Sequence, residues 1–406
     1  MKLWPHISVS VATAAALVAL AAGCGDSDSS SGGGDTGGGG GGDPILLGQI
    51  AGTTGAYGST GVAMVNGAKL AVEEINAAGG IDGRKVELAN YNDKADATLS
   101  SQLYKRLVSA GAVAVLGSGD TGPTTASMAE RMHVPNTGAV DDAGLTIYPD
   151  GPDKPPYKWA FSFGLNTYAW GEALADYALE NCEKLAVLHD PSTYGEGGNQ
   201  GIQLRYEEAG KEVALDETIT ENWSTGATVG LENELEKVNS VGADCVVVWL
   251  TPQDTARFAQ TARSQGATFT ILGNDEINAD DTFAKLAKDA ADGAIGASLT
   301  TWVDSDPELK KFQDDYRAKF GIEPTPFASA SRDAVYMLKQ VIEEIGTTDA
   351  DKLRDGIEAV KDFKGVNGSF SFSPQDHATI TRDQLTLVQY DAAKGEWIPL
   401  DQQPGA

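Results

Sequence analysis

Three polar stretches lie where strands are predicted to end, and together they could bind a small charged molecule. Gly117–Thr124 carries serine and threonine hydroxyls and begins a helix near Pro123, so its free N–H groups could hold an anion such as a carboxylate. His189–Gly197 is the second stretch, and Leu272–Glu276 ends in acids that could pair with a cation. An anion pocket on one side and acids on the other are what a zwitterion requires.

Catalytic and metal chemistry are not indicated. The sequence has no GxSxG, HExxH, SxxK or P-loop motif, and its three cysteines form no CxxC or Cys/His zinc spacing. His133 and His189 lie beside predicted core strands, which favours structural roles. We therefore predict no catalytic residue, no metal and no cofactor. A secreted α/β hydrolase that uses acids of the cleft remains an alternative.

The charge of the chain excludes another class of partner. Thirty lysines and arginines against 58 aspartates and glutamates give a formal net charge of −28. Such a chain has no basic excess with which to bind nucleic acid or an anionic membrane surface. The composition fits a soluble protein whose ligand is small or whose protein partner is basic.

Strands and helices alternate twice along the chain. The first series begins at Ile45–Ile50, and the second restarts with a helix near Thr167–Asn181 followed by strand Leu185–Leu188. Alternation of this kind predicts two α/β lobes, each with a doubly wound parallel sheet covered by helices. Because ligands bind beyond the carboxyl ends of parallel strands, we expect the site in the cleft between the lobes.

The amino terminus resembles a bacterial lipoprotein signal. Ile7–Ala22 is an uncharged run of 16 residues, which is short for a membrane span, and it is followed by Gly23 and Cys24. We predict a signal peptide over 1–23, a lipid on Cys24 and a Gly/Ser/Asp-rich tether over 24–43. The protein would then be extracytoplasmic and held to the outer face of the cell membrane by its lipid alone. Ordinary cleavage, with Cys24 left as a free thiol, is the alternative.

The other two cysteines are predicted to form a disulfide. Cys182 lies just before the first strand of the second lobe, and Cys245 begins its third strand. In the doubly wound order 2-1-3-4-5 these strands are neighbours, so both cysteines fall at the amino-terminal edge of the sheet. The compartment is oxidising and two cysteines remain once Cys24 is modified, which favours a bridge over two buried free thiols.

Several motifs resemble those of the branched-chain amino acid-binding proteins. They include Gly48–Gly52, Glu74–Arg84, Tyr194–Gly197 and Ala262–Gly266, and the similarity spans about 45–390. These proteins are type I periplasmic solute-binding components of ATP-driven importers. The resemblance implies two lobes joined by three crossovers that close on a ligand. It places lobe 1 at 44–162 plus 300–368 and lobe 2 at 163–299 plus 369–406.

The resemblance also implies ligand contacts from the first lobe. Thr121 and nearby N–H groups, with Gly119 and Asp120, match positions that bind the ligand carboxylate, although Thr121 could otherwise simply cap a helix. Ala139 matches the strand end that contacts the amino group. Val140 stands where the family usually has a hydroxyl residue, and this departure favours an amide, an aromatic acid or another modified ligand.

Further contacts are implied at the cleft walls and in the second lobe. Tyr57, Tyr194 and Phe327 match aromatic wall positions, and Asp275, or Glu276 if the alignment slips by one, matches the acid that pairs with the ligand ammonium. Apart from the resemblance, the tyrosines could be surface aromatics and the acids solvated loop residues.

The function implied is that of a binding protein. We expect a monomeric solute-binding lipoprotein that delivers a branched-chain or other hydrophobic amino acid, or a related amide or carboxylate, to the permease subunits of an ABC importer. A lipoprotein that senses the ligand for a membrane signalling receptor is the alternative.

Overall fold

The computed structural model describes residues 42–55, 58–117, 119, 121–138, 146–149, 154–164, 166–220, 230–303 and 306–400. The strands are β1 (Ile45–Ala51), β2 (Val86–Asn92), β3 (Ala114–Leu116), β4 (Leu185–His189), β5 (Leu215–Thr218), β6 (Cys245–Trp249), β7 (Thr270–Gly273), β8 (Ile295–Leu299), β9 (Phe363–Gly365), β10 (Gly368–Phe370), β11 (Leu385–Asp391) and β12 (Glu396–Pro399). The helices are α1 (Gly58–Ala77), α2 (Ala97–Ser109), α3 (Gly122–Met132), α4 (Thr167–Asn181), α5 (Thr193–Glu208), α6 (Glu232–Val241), α7 (Pro252–Ser264), α8 (Thr282–Ala287), α9 (Thr300–Val303), α10 (Pro307–Phe320), α11 (Pro326–Ile345) and α12 (Ala350–Glu358).

The first lobe is built on a parallel sheet with the order β2-β1-β3. Strand β1 is buried on both faces: Ile45 and Leu47 pack against α1, α11 and α12, while Ile50 packs against α2 and α3. Helices on both faces explain why β1 is a nearly continuous apolar run. In the segment 134–138 a single residue, Asn136, forms β-bridges, which pair it with Val115 and Ala160.

The second lobe has a seven-stranded sheet with the order β12-β11-β8-β7-β6-β4-β5. Strands β4 to β8 run parallel, and within the lobe their order is the predicted 2-1-3-4-5. Strand β11 adds to β8 antiparallel, with Val388 opposite Gly296. The predicted fold class, two α/β lobes with parallel sheets, is confirmed.

The predicted disulfide lies beside two neighbouring strands of the second sheet, β4 and β6. Cys182 and Cys245 are bonded, with their Cα atoms 6.0 Å apart. In the β4–β6 register Leu185 lies opposite Cys245, so the bond crosses the amino-terminal edge of the sheet. The carboxyl end of β6, at the opposite edge, leads into α7.

A close helix contact sets the wall of the cleft on the side of the first lobe. A Cβ atom added to Gly67 of α1 would lie 1.8 Å from the carbonyl oxygen of Ala328 in α11. Only glycine permits this approach, and it places the amino-terminal turn of α11 against the middle of α1.

The chain passes between the lobes at its crossovers. Phe370 and Phe372 pack in the core of the first lobe, so the last passage to the second lobe lies beyond Phe372. Within the described part of the chain, no helix is long and apolar enough to cross a membrane.

Candidate functional site

Thr121 lies at the carboxyl end of the first sheet, but its hydroxyl points into the lobe. The Oγ1 atom is 2.7 Å from Asp93 Oδ2 and 2.8 Å from Ser100 Oγ, and Thr121 is buried. Among the described residues it makes no side-chain capping bond to α3, although it precedes that helix. A carboxylate only accepts hydrogen bonds, so the Thr121 hydroxyl donates its single proton to Asp93. In this arrangement the hydroxyl is engaged within the lobe and does not donate to a ligand carboxylate.

Asp275 lies just beyond the carboxyl end of β7 and is only 4% exposed. Its Oδ1 atom accepts a hydrogen bond of 2.6 Å from the Tyr194 hydroxyl, whereas Oδ2 has no partner among the described residues. Burial raises the pKa of Asp275 to about 6, and the hydrogen bond from Tyr194 lowers it only in part. A buried carboxylate with one bare oxygen is suited to pair with a cation.

Tyr194 is held by the turn that begins α5. Ser192 caps the helix by accepting the N–H of Gly195 at 3.3 Å, and Asp190 accepts the N–H of Ser192 at 2.8 Å. The ring of Tyr194 packs edge-on against Trp249, with 5.7 Å between the centroids. The cap and the ring contact together fix the phenol on Asp275.

Glu276 joins the two lobes. Its Oε1 accepts a 2.6 Å hydrogen bond from Thr60, which lies in the first turn of α1, and the side chain is 8% exposed. Asn274 shapes this loop, since its Nδ2 donates to the Leu250 carbonyl and its Oδ1 accepts the N–H of Glu276. Of the two acids considered for the ligand ammonium, Glu276 is therefore engaged with the opposite lobe.

Phe327 also connects the lobes. It lies in the first turn of α11, which packs on α1, yet its buried ring belongs to the core cluster of Trp170 and Trp249 in the second lobe. Phe327 is one of the residues that line the cleft between the lobes.

A cleft opens between the lobes next to Glu276 and Phe327, whereas Asp275 and Tyr194 are not among its described lining residues. The first turns of α1 and α11 form one side, and the loops after β6 and β7 form the other. The described lining residues are Ser59, Thr60, Pro252, Gln253, Glu276, Ala279, Asp280, Thr282, Thr325 and Phe327.

Four predicted ligand contacts, Tyr57, Asp120, Ala139 and Val140, lie outside the described residues, as do Cys24 and most of the predicted tether. Gly119 is described, and its carbonyl accepts the N–H of Gly122 at 3.0 Å.

Eight of the ten described lining residues were not predicted, among them Thr60 and Thr325. Thr325 precedes Pro326, the first residue of α11, and this Thr-Pro pair is typical of a helix start. Thr60 has no comparable signal, because it reaches the cleft only through the packing of α1.

His189 and His133 have structural surroundings. Burial alone lowers the pKa of His189, but hydrogen bonds from its ring to Asp216 and to the Asp190 carbonyl raise it above its usual value. His133 ends α3 in the left-handed conformation and stacks on Trp159, with the ring centroids 5.1 Å apart. The described residues contain no group of histidines, cysteines and acids that could hold a metal ion.

Two parallel-sheet lobes with a cleft between them define a two-lobed protein that binds small molecules. The sequence matches the profile of the periplasmic binding protein family over residues 44–396, and the chain belongs to that family. The family consists of binding proteins, which confirms the prediction that the chain is not an enzyme. It also supports a location outside the cytoplasm.

Individual relatives agree with this assignment. The chain is 25% identical over 360 residues to the leucine-, isoleucine-, valine-, threonine- and alanine-binding protein of Pseudomonas aeruginosa, which covers 87% of this chain and 88% of the relative. It is similar to LivJ, a branched-chain amino acid transporter substrate-binding protein of Streptococcus pneumoniae solved with isoleucine (TM-score 0.73, 26% identity, 87% and 97% of the chains covered). A type 1 periplasmic binding protein of Bordetella pertussis has the same fold (TM-score 0.79, 20% identity, 88% and 100% covered).

Proposed function

We propose that this protein is an extracytoplasmic solute-binding lipoprotein that delivers a small ligand to an ABC importer by closure of its two lobes. The ligand would be a branched-chain or other hydrophobic amino acid, or a related amide or carboxylate. The observation that carries the proposal is the bare, buried Oδ2 of Asp275 beside an inter-lobe cleft. Relatives and a structural neighbour named for binding or transporting branched-chain amino acids support it.

In this proposal Asp275 pairs with the ligand ammonium while the Tyr194 hydroxyl holds its other oxygen. Tyr57, Tyr194 and Phe327 form the aromatic walls, and Ala139 and Val140 contribute the strand end near the amino group. Backbone N–H groups of 119–121 receive the carboxylate or its amide equivalent, since the Thr121 hydroxyl contacts Asp93 and Ser100.

The test is a thermal-shift screen of the full chain against amino acids, amides, urea and aromatic acids. A ligand at 100 times its Kd adds about 2.7 kcal/mol to the free energy of unfolding. For any amine hit, Asp275→Asn should weaken binding by roughly 10-fold to 100-fold, because a charge-assisted hydrogen bond contributes about 1.5–3 kcal/mol. Asp289→Asn, an exposed residue of the same lobe, is the matched control and should bind normally. A screen without any hit would contradict the proposed function.

The lipid anchor is tested separately. Cys24→Ser should move the protein from the membrane fraction to the soluble fraction, because the cysteine would be the only point of attachment. Wild-type protein that fractionates as freely soluble, with an amino terminus beyond Cys24, would contradict the anchor and leave ligand binding unaffected.

A further inference from the structure

The cleft lining is unusually polar for a site that would hold an aliphatic side chain. Of the ten described lining residues, only Pro252, Ala279 and Phe327 are apolar. Small-molecule sites are mostly lined by apolar and aromatic side chains, with a few polar groups that fix orientation. Here the polar groups are in the majority, and a branched aliphatic group would remove water from them without replacing its hydrogen bonds.

Thr325 supplies the polar group that is least explained by the fold. It precedes α11, but its side chain makes no capping hydrogen bond, and its Oγ1 is buried with no partner among the described residues. Buried hydroxyls are nearly always hydrogen-bonded, because leaving one unpaired costs about 1–3 kcal/mol. Because Thr325 is one of the lining residues, a ligand that enters as the lobes move apart can supply the partner that this hydroxyl lacks.

The charges around Thr325 indicate which kind of ligand group can bind there. Glu276 and Asp280 line the same cleft, and its described lining contains no lysine, arginine or histidine. Helix amino termini favour anions, but at α1 the carboxylate of Glu276 already receives the Thr60 hydroxyl. A second anion from the ligand would be repelled there, whereas a hydrogen-bond donor would be favoured.

We propose that the ligand carries, in addition to its ammonium group, a hydroxyl or amide group that donates a hydrogen bond in the cleft beside Thr325 and Glu276. This inference rests on the proposed function, in which Asp275 pairs with the ammonium. It narrows the ligand from aliphatic amino acids to those of similar size whose side chain ends in a hydroxyl or a carboxamide.

Two pairs of nearly isosteric amino acids test the inference by calorimetric titration of the full chain. Threonine replaces one methyl group of valine by a hydroxyl, and asparagine replaces the branched end of leucine by a carboxamide. A site built around a hydrogen bond rejects the analogue that lacks the polar group. Threonine should therefore bind more tightly than valine, and asparagine more tightly than leucine, each by a factor of roughly 10 or more. In Thr325→Val the ratio of the two dissociation constants within each pair should fall to near one.

Two further variants separate the hydroxyl from the fold. Thr325→Ser keeps the hydroxyl and should keep the preference. Thr348→Val, beyond the other end of α11, should leave the preference unchanged. A preference that survives in Thr325→Val would overturn the inference.

Failure of the inference is distinguishable from failure of the proposed function. If valine and leucine bind as tightly as their partners or more tightly, the inference is wrong and an amino acid-binding function stands. If none of the four binds, both the inference and the amino acid ligand are wrong.

Discussion

At the residue scale, Asp275 combines two properties that are rarely found together. The residue is buried, and one of its carboxylate oxygens has no partner among the described residues. Desolvation raises its pKa to about 6, which means that the charged form is held at a cost in the unliganded protein. A ligand ammonium would remove that cost by supplying the opposite charge.

The first prediction concerns pH. An ammonium ligand prefers ionised Asp275, so its affinity should fall as the pH drops below 6, by roughly 10-fold per pH unit at the limit. Binding at about pH 5 should release close to one proton, because the pKa of Asp275 is lower in the liganded protein than in the free protein. Calorimetric titrations in buffers of different ionisation enthalpy measure this release.

Asp333 provides the control for this experiment. It is also buried with a pKa raised to about 6 by desolvation, but it lies in the first lobe, where its carboxylate accepts the N–H groups of Val366 and Asn367. Asp333→Asn should therefore leave the proton release unchanged. Binding at pH 5 without any release would contradict the role of Asp275.

At the scale of the elements, the disulfide between Cys182 and Cys245 links the end of α4 to the first residue of β6. The bond lies at the amino-terminal edge of the sheet, whereas α7, which lines the cleft, follows the carboxyl end of β6. We therefore expect the disulfide to affect the stability of the protein but not its choice of ligand.

We predict that Cys182→Ala/Cys245→Ala lowers the free energy of unfolding by about 4 kcal/mol, the chain-entropy value for a loop of 63 residues. Denaturant unfolding of the oxidised wild type and the double variant measures the difference. Ligand affinity, measured well below the midpoint of either transition, should be the same for both. A large change in affinity would show that the bond acts on the cleft.

Regular alternation of strands and helices was enough to predict both parallel sheets and the 2-1-3-4-5 order that brings the cysteines together. The segment 134–138 was harder to predict, because Pro135 cannot donate to a ladder and only Asn136 forms bridges. The antiparallel pairing of β11 with β8 depends on the last crossover, which carries no local signal.

The candidate ligand contacts could be predicted from the sequence only where the family resemblance covered them. It brought Tyr194 and Asp275 to one site, and they share a hydrogen bond. Thr325 and Thr60 were missed because their place in the cleft follows from how closely α11 approaches α1 at Gly67, a contact between distant parts of the chain.

At the scale of the whole molecule, the hydrogen bond between Thr60 and Glu276 joins the two lobes. We predict that binding of a ligand decreases the radius of gyration of the protein, because open lobes close around the ligand. Small-angle scattering with and without a hit from the thermal-shift screen measures the change. An unchanged radius with ligand bound would contradict hinge closure.

The second sheet is completed from the far end of the chain. Strand β11 pairs with β8 only after α10, α11, α12 and the β9–β10 hairpin have followed β8. Because β4 to β8 and both cysteines precede β11 in the chain, export that starts from the amino terminus would deliver them before β11. The disulfide can therefore form on an unfinished lobe, and a chain that ends before Leu385 would leave β8 as an unprotected edge open to aggregation.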